Sequence, residues 1–506
     1  MEFIAIMKCI PSNSRSLRIA RDGIIINRVI RTALLCPVLC ALIGATAAPG
    51  PTVRKMLYRV TGVTGDDVAA ARAAKELTLF DAYALSVFNT ETMAIEGENS
   101  VQAALQREQA FTSFIPSLSL KANKAFPEQK RNYTPLKSSA VSLNARLPII
   151  TGLDQVSQIT MSISGVKLRE LELYDGAGRL LDEVASAYFG VLLLRQGLRN
   201  GEQVLGLHAQ MLGELRRRVD IGRSRRSDLL RTRSQMYALE AQIKSIRSSL
   251  SHAEIALCSL TGAQAGAALR DAADLPAPAY ALADESAVME KRWDVRAARE
   301  KVEQAKAGLL AAYGGHLPSA YIEGSYMIYQ EKPKSSLLDR TMDAYRLTSP
   351  ASVLTSQYSK TKYRDYFVSI GVELPILGPD ITFAKVREAH SVKRQADLGL
   401  SKTVRLARQD FADSYKTWES SIGELEAYKQ AFASAEENYR LVAAEYRMNQ
   451  VTILDVLTSL TSLQGARDDY ERALLQTRLD RVRLGIAAGE FYGDNIRALR
   501  PARRAQ

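Results

Sequence analysis

From Phe411 to Tyr446, apolar residues recur at steps of three and four: Phe411, Tyr415, Trp418, Ile422, Leu425, Tyr428, Phe432, Ala435, Tyr439, Val442 and Tyr446. That spacing keeps one apolar seam turned toward a partner helix over about ten turns, and it predicts a coiled-coil arm. Leu181, Val184, Tyr188 and Val191 begin a matching seam earlier in the chain. Four shorter stretches change the period to two. Leu118, Leu120 and Ala122 alternate with Ser117, Ser119 and Lys121, and Leu143, Ala145 and Leu147 oppose Asn144 and Arg146. Ala320, Ile322, Gly324, Tyr326 and Ile328 oppose Ser319, Glu323 and Ser325. Tyr366, Val368, Ile370, Val372 and Leu374 oppose Ser369, Gly371 and Glu373. These are strands with one apolar and one polar face, the dyad of a lipid-facing barrel and equally of a half-buried soluble sheet.

Proline placement separates the two kinds of element. None of the 16 prolines falls between Pro148 and Pro276, or between Pro379 and Pro501. Helix interiors exclude proline, so both spans can be almost wholly helical, unlike an α/β enzyme with its frequent turns. Each span has one break, VDIGRSRRSDLL at 219–230 and YRMNQVTILDVL at 446–457. Gly222 and Asn449 hold equivalent positions there, and both residue types tolerate the left-handed backbone that ends a helix. Asp228 and Asp455 follow as cap candidates in the first turn of the returning helix, where a carboxylate meets orphan N–H groups. The stretch from Gly152 to Gly222 makes an arm of ~100 Å at 1.5 Å per residue.

The same order is written twice. At an offset of 227, Pro148 maps to Pro375, Val184 to Phe411, Tyr188 to Tyr415, Asp228 to Asp455 and Leu230 to Leu457. At an offset of 202, Pro116 maps to Pro318, and a polar insertion between Gln330 and Tyr363 takes up the difference. The expected organisation is an N-terminal extension (48–76), a first repeat (77–262) with strands at 114–124 and 140–150, and a linker (263–282). A second repeat (283–488) with strands at 318–330 and 363–376 and a C-terminal tail (489–506) follow.

Composition narrows the setting. The 506 residues are 46% hydrophobic and 24% charged, enough to bury a core and unlike a disordered chain. Arg28 and Arg31 precede an uncharged run from Thr32 to Gly44, closed by Ala45-Thr46-Ala47. This predicts a signal peptide over 1–47, a buried N-terminal helix being the alternative. Its removal takes six Lys/Arg and two Asp/Glu from a formal charge of +12, leaving +8. Cys9, Cys36 and Cys40 leave with it, so Cys258 alone remains and no internal disulfide can form. No later stretch approaches 18 apolar residues, so entry into a membrane requires a β-barrel. Four strands cannot close one, since about eight is the smallest size, and several chains must share it. The histidines at 208, 252, 316 and 390 have no ligand-spaced neighbours, and no spacing suggests a triad. No metal, cofactor or enzymatic activity is expected.

Four motifs stand in order: LTLFDAYALSVFNT (77–90), FIPSLSL (114–120), GVELPI (371–376) followed by Gly378, and EYRMNQVTILDVL (445–457). Together they resemble the TolC-like outer membrane efflux protein family over nearly the whole mature chain. They match its opening helix, its helix-to-strand passage, its strand-to-helix return and its periplasmic hairpin tip. The resemblance implies a mainly α fold in which long antiparallel hairpins form a trimeric α-barrel crossing the periplasm. Four strands per protomer join a twelve-stranded outer-membrane β-barrel. It also implies a homotrimer that takes substrate from an inner-membrane pump or ABC transporter and its periplasmic adaptor. The function implied is a passive exit duct for efflux or type I secretion; the competing class is a periplasmic coiled-coil scaffold or adaptor without a pore. In the family, aspartates ring the closed periplasmic entrance. Asp455 matches one of them, while the second acidic position is Thr458 here. The family's Phe-Asp-Gly-Gly after the strands is altered to Ile150-Thr151-Gly152 and Leu377-Gly378-Pro379.

Three groups of residues are therefore candidates. Asp455 and Thr458 are the entrance constriction, with Asp455 alternatively only a helix cap. Gly222, Arg223, Arg225, Arg226, Asp228, Asn449 and Gln450 form adaptor-docking tips. The first tip is rich in arginine, which either steers an acidic partner or is simply solvated; nucleic acid is not expected of an exported chain. Lys121, Arg146, Glu323 and Glu373 lie on polar strand faces as barrel-lumen charges, Arg146 and Glu373 being equivalent and expected at one height.

Overall fold

The computed structural model describes residues 50–123, 140–222, 224–263, 266–270, 275, 277–278, 280–330, 366–376, 383–448, 450–491, 496 and 499. The expected signal peptide, the insertion after Gln330 and the altered Leu377-Gly378-Pro379 motif lie outside them. The chain divides into two units, Met1–Lys55 and Met56–Gln506, and the second carries the fold described below. Helices α1 (Gly50–Thr61) and α2 (Gly65–Ala73) lead into strand β1 (Glu76–Leu77). Helices α3 (Leu79–Asn89) and α4 (Glu91–Thr112), strands β2 (Ser117–Asn123) and β3 (Ala140–Thr151), and helices α5 (Asp154–Asp220) and α6 (Arg226–Thr261) follow. After β4 (Ala268–Leu269) come α7 (Glu285–Lys291), α8 (Trp293–Gly314), β5 (Ser319–Gln330), β6 (Tyr366–Glu373), α9 (Phe383–Arg447) and α10 (Ile453–Ala487).

The two proline-free spans do form helical hairpins, but their arms are unequal. α5 has 67 residues and α9 has 65, whereas the returning helices α6 and α10 have 36 and 35. At 1.5 Å per residue the outgoing arm is ~100 Å and the returning arm about half of that. The place left beside the first part of each long arm is taken by the 22-residue helices α4 and α8. Near its start α5 packs Leu168 and Leu171 on Ala297 of α8. Farther along, Val204 meets Leu239 and Ile243 of α6 and Leu460 of α10. Between these levels Val288 and Met289 of α7, Val295 of α8, Ala407 and Phe411 of α9, and Leu484 of α10 close one core. Fully burying a side chain such as Phe411 or Leu484 is worth roughly 1.5–3 kcal/mol.

The coiled-coil seam of α9 needs one correction. Ile422 and Tyr428 are exposed, at 44% and 38%. Ser421 is buried instead, and its carbonyl accepts from the Thr477 hydroxyl of α10 at 3.1 Å. At that height the two backbones approach through small polar residues, so the contact stripe moves off the apolar positions. Phe432 resumes the seam by stacking on Tyr470 at 5.8 Å.

The strands form one antiparallel sheet in the order β2-β3-β5-β6, with β2 and β6 at its edges. Each predicted strand is present among the described residues: β2 begins at Ser117 rather than at 114, β3 runs one residue farther, β5 begins at Ser319 rather than at 318, and β6 ends at Glu373 rather than at 376. A second pairing that periodicity does not announce, β1 parallel to β4, ties the start of the unit to the segment after α6. Buried Tyr188 fastens it, its hydroxyl 2.9 Å from the Leu77 carbonyl and 2.7 Å from that of Arg270. Among the described residues no helix is long and apolar enough to cross a membrane.

Candidate functional site

Two regions collect the candidate residues. At the first, the hairpin turns meet. Leu215 of α5, Tyr446 of α9, and Ile453, Val456 and Leu457 of α10 share one buried cluster, with Val219 and Leu229 against it. One apolar core therefore holds both turns together. The Arg218 guanidinium lies 4.3 Å above the Tyr446 ring, and burial pushes the Tyr446 phenol above its ordinary pKa while the Arg218 charge opposes that rise. Spacing alone does not reveal this pair, since its members are 228 positions apart.

The turns are built differently. Gly222 ends α5 in the left-handed region at φ 73°, its N–H donating to the Val219 carbonyl at 3.0 Å. Arg223 and Asn449 lie outside the described residues. In the second turn Thr452 is the N-cap of α10 and Asp455 is the third helical residue. The Asp455 carboxylate accepts from the Thr452 N–H at 2.8 Å and from its hydroxyl at 2.6 Å. The Asp455 N–H in turn donates to the Thr452 hydroxyl at 3.4 Å, completing a capping box. Those donors hold the Asp455 carboxyl below its ordinary pKa. Asp455 is thus part of a cap without being the N-cap itself. The Thr-x-x-Asp spacing carries that signal in the sequence.

Asp228 does not share this role. Arg225 occupies the N-cap of α6 and its side chain offers no acceptor, so the helix starts without a side-chain cap, and Asp228 sits half-buried in the first turn. Thr458 turns inward on its own helix, its hydroxyl donating to the Leu454 carbonyl at 2.8 Å. Arg216, Arg217, Arg225, Arg226, Arg231, Arg233 and Gln450 are exposed around the turns.

The second region is the sheet. Ladder partners share a face, and the registers Ser117↔Arg146, Arg146↔Glu323 and Glu323↔Ser369 put Arg146 and Glu323 on one side together with Lys121 and Glu373. Arg146 faces Glu323 directly, whereas Glu373 faces Ser319. The Arg146 guanidinium stacks 4.1 Å from the Tyr321 ring centre. That ring lies over Gly371, where an added Cβ would meet Tyr321 Cζ at 2.5 Å. On the other face Leu118, Val368, Ile370 and Val372 are 69–73% exposed. Among the described residues nothing packs over this stripe of branched apolar side chains.

Between the two regions, polar contacts cross the helical layer. Asn200 of α5 donates to Asp468 of α10 at 2.9 Å and also to Glu471, which accepts from Gln196 at 2.7 Å. Burial raises the Asp468 pKa. Arg292 reaches Asp410 of α9 and the Ala487 carbonyl that ends α10, both at 2.8 Å, while its other nitrogens grip Asp294. An open cleft of about 1270 Å³ runs along α5, α8 and α9, lined by both signs of charge, among them Arg169, Glu172, Lys301 and Glu388. Such a surface suits water and passing solutes better than one tightly bound ligand.

The family model described as outer membrane efflux protein matches residues 97–263 and 277–490. The chain belongs to the outer membrane efflux protein family. It is similar to the outer membrane protein TolC of Escherichia coli, 23% identical over 419 residues, covering 79% of this chain and 81% of TolC. The alkaline protease secretion protein AprF of Pseudomonas aeruginosa is 22% identical over 462 residues, covering 84% of this chain and 90% of AprF. Among solved structures, the open state of the Neisseria gonorrhoeae MtrE outer membrane channel shares the fold with a TM-score of 0.65 at 19% identity, covering 81% of this chain and 89% of that one. The protein is accordingly an outer-membrane exit duct of the Gram-negative envelope, extending into the periplasm.

Proposed function

We propose that three copies of the chain pool their strands into one twelve-stranded barrel and their helices into a tunnel across the periplasm. Cargo then moves passively from an inner-membrane pump or ABC transporter, through a periplasmic adaptor, to the outside. The exposed apolar face of a four-stranded sheet carries this reading. Four strands cannot close on themselves, and among the described residues edges β2 and β6 have no further strand beside them. Sharing a barrel covers the edges and gives Val368, Ile370 and Val372 to lipid.

Element bounds support a duplicated chain. α4 starts at Glu91 and ends at Thr112, and α8 starts and ends 202 residues later. α6 and α10 start 227 residues apart. Gly262 and Gly489, also 227 apart, stand just beyond those helices at φ 67° and 70°. Two repeats in each of three copies give the barrel and the helical wall a pseudo-sixfold plan.

Within this reading Asp455 and Thr458 line the periplasmic entrance, where the cap fixes the Asp455 carboxylate as an anion at neutral pH. Gly222, Arg225, Arg226, Asp228 and Gln450, with Arg223 and Asn449, form the docking tips, and the exposed arginines steer an adaptor of acidic character. Lys121, Arg146, Glu323 and Glu373 face the barrel lumen. The mass of the detergent-extracted particle tests the reading: three chains are expected, and a monodisperse single chain would refute it.

A further inference from the structure

The charges on the polar face of the sheet follow the hairpins. β2 and β3 carry Lys121 and Arg146; β5 and β6 carry Glu323 and Glu373. Lys121 and Glu323 are 202 residues apart, Arg146 and Glu373 are 227 apart, the same offsets that relate the helices. Each of these two basic strand positions of the first hairpin is thus an acidic position of the second. The hairpins agree internally as well: Ser117 faces Arg146 in one, and Ser319 faces Glu373 in the other. Where the hairpins adjoin, Arg146 faces Glu323. The outer edges differ in sign, with Lys121 on β2 and Glu373 on β6.

We propose that β6 of one copy pairs with β2 of the next in the register Glu373↔Lys121, and that these opposite charges key the seam between copies. The proposal rests on the shared-barrel reading above. Its register comes from the seam within one chain: carried forward by 227, Arg146 becomes Glu373, and carried back by 202, Glu323 becomes Lys121. The neighbouring pairs follow. Ala145↔Gly324 becomes Val372↔Ala122, and Leu147↔Ile322 becomes Leu374↔Leu120. These two transferred pairs set apolar against apolar on the lipid side, with the charged pair on the lumen side.

Alternatives fare worse on the same strands. A slip of one residue sets Lys121 opposite Val372 or Leu374 and turns one strand's apolar face into the lumen. A slip of two sets Lys121 opposite Gly371 or Pro375, and both charges lose their partner. Pairing β2 with β2, or β6 with β6, brings like charges together. The acidic edge therefore accepts only the basic edge of another copy, which makes the ring close head to tail.

The test uses the full chain in the outer membrane, in a Cys258→Ser background. Lys121→Cys with Glu373→Cys should give protomers covalently linked to one another on mild oxidation. Arg146→Cys with Glu323→Cys calibrates the geometry, because it should close within one chain and leave the mass of the denatured protomer unchanged. If that control closes, and the particle is trimeric, yet the Lys121/Glu373 pair stays unlinked, the register is wrong. A single-chain particle would instead overturn the reading on which the proposal rests. Charge reversal gives a second measure. Lys121→Glu and Glu373→Lys should each lower the temperature at which the assembly comes apart in SDS, and their combination should restore it. Failure of the double variant to recover would overturn the ion pair as the key.

Discussion

Asp455 shows how one carboxylate can serve two ends. Its hydrogen bonds to Thr452 satisfy the first turn of α10, and they also fix a negative charge on an exposed turn. Thr452→Ala removes the cap and should cost on the order of 1 kcal/mol of stability, seen as a lower midpoint in denaturant. Because the folded pKa of Asp455 is depressed, its contribution is present above the ordinary carboxylate pKa and is lost as pH falls through the folded value. Asp455→Asn should therefore lower Tm at pH 7, and the gap from the wild type should close below about pH 4. A gap that persists in acid would mean that the carboxylate's charge is not what caps the helix. At this scale the sequence was partly legible. Thr452 and Asp455 stand three apart and can be read as a box; Arg218 with Tyr446 and Asn200 with Asp468 meet only because two hairpins are packed side by side.

At the scale of elements, periodicity located the long arms and all four strands but not the lengths of the returning helices. Proline-free sequence permits a helix without saying where its partner stops; the stop is set by Gly262 and Gly489, whose left-handed backbone ends α6 and α10. The seam shift at Ser421 had no signal either, since it depends on Thr477 lying opposite. In the sheet, Gly371 is read from sequence only as a polar-face position, yet the Tyr321 ring occupies the space where its side chain would stand. Gly371→Ala should push the Tyr321 ring aside and destabilise the protein by about 1 kcal/mol, the low end for an overpacked site. Combining it with Tyr321→Ala should cost less than the two changes separately, because the ring is then gone. Strictly additive losses in thermal unfolding would show that the ring and the glycine are not coupled.

For the whole molecule, the exposed apolar surfaces support the proposed assembly. α9 runs along the border of the helical layer with Ala407, Phe411, Ser421 and Tyr446 as its buried residues, and Leu398, Leu406 and Leu441 stand 49–70% exposed. α4 and α6 on the opposite border likewise expose Ile95, Phe111, Leu230 and Ile255 at 51–60%. Opposite borders that both lack a neighbour among the described residues suit the proposed closed ring of copies, as do the two edges of the sheet. The proposal of several copies can be argued from the sequence because strand number and barrel closure are matters of geometry. The residues proposed to meet at the seam are named only through the ladder registers. The measurement that tests the account most directly is the current through the purified mature protein in a planar lipid bilayer. Discrete, lasting conductance steps are predicted, with cation preference reduced in Asp455→Ala; folded protein that leaves the bilayer electrically silent would contradict the duct.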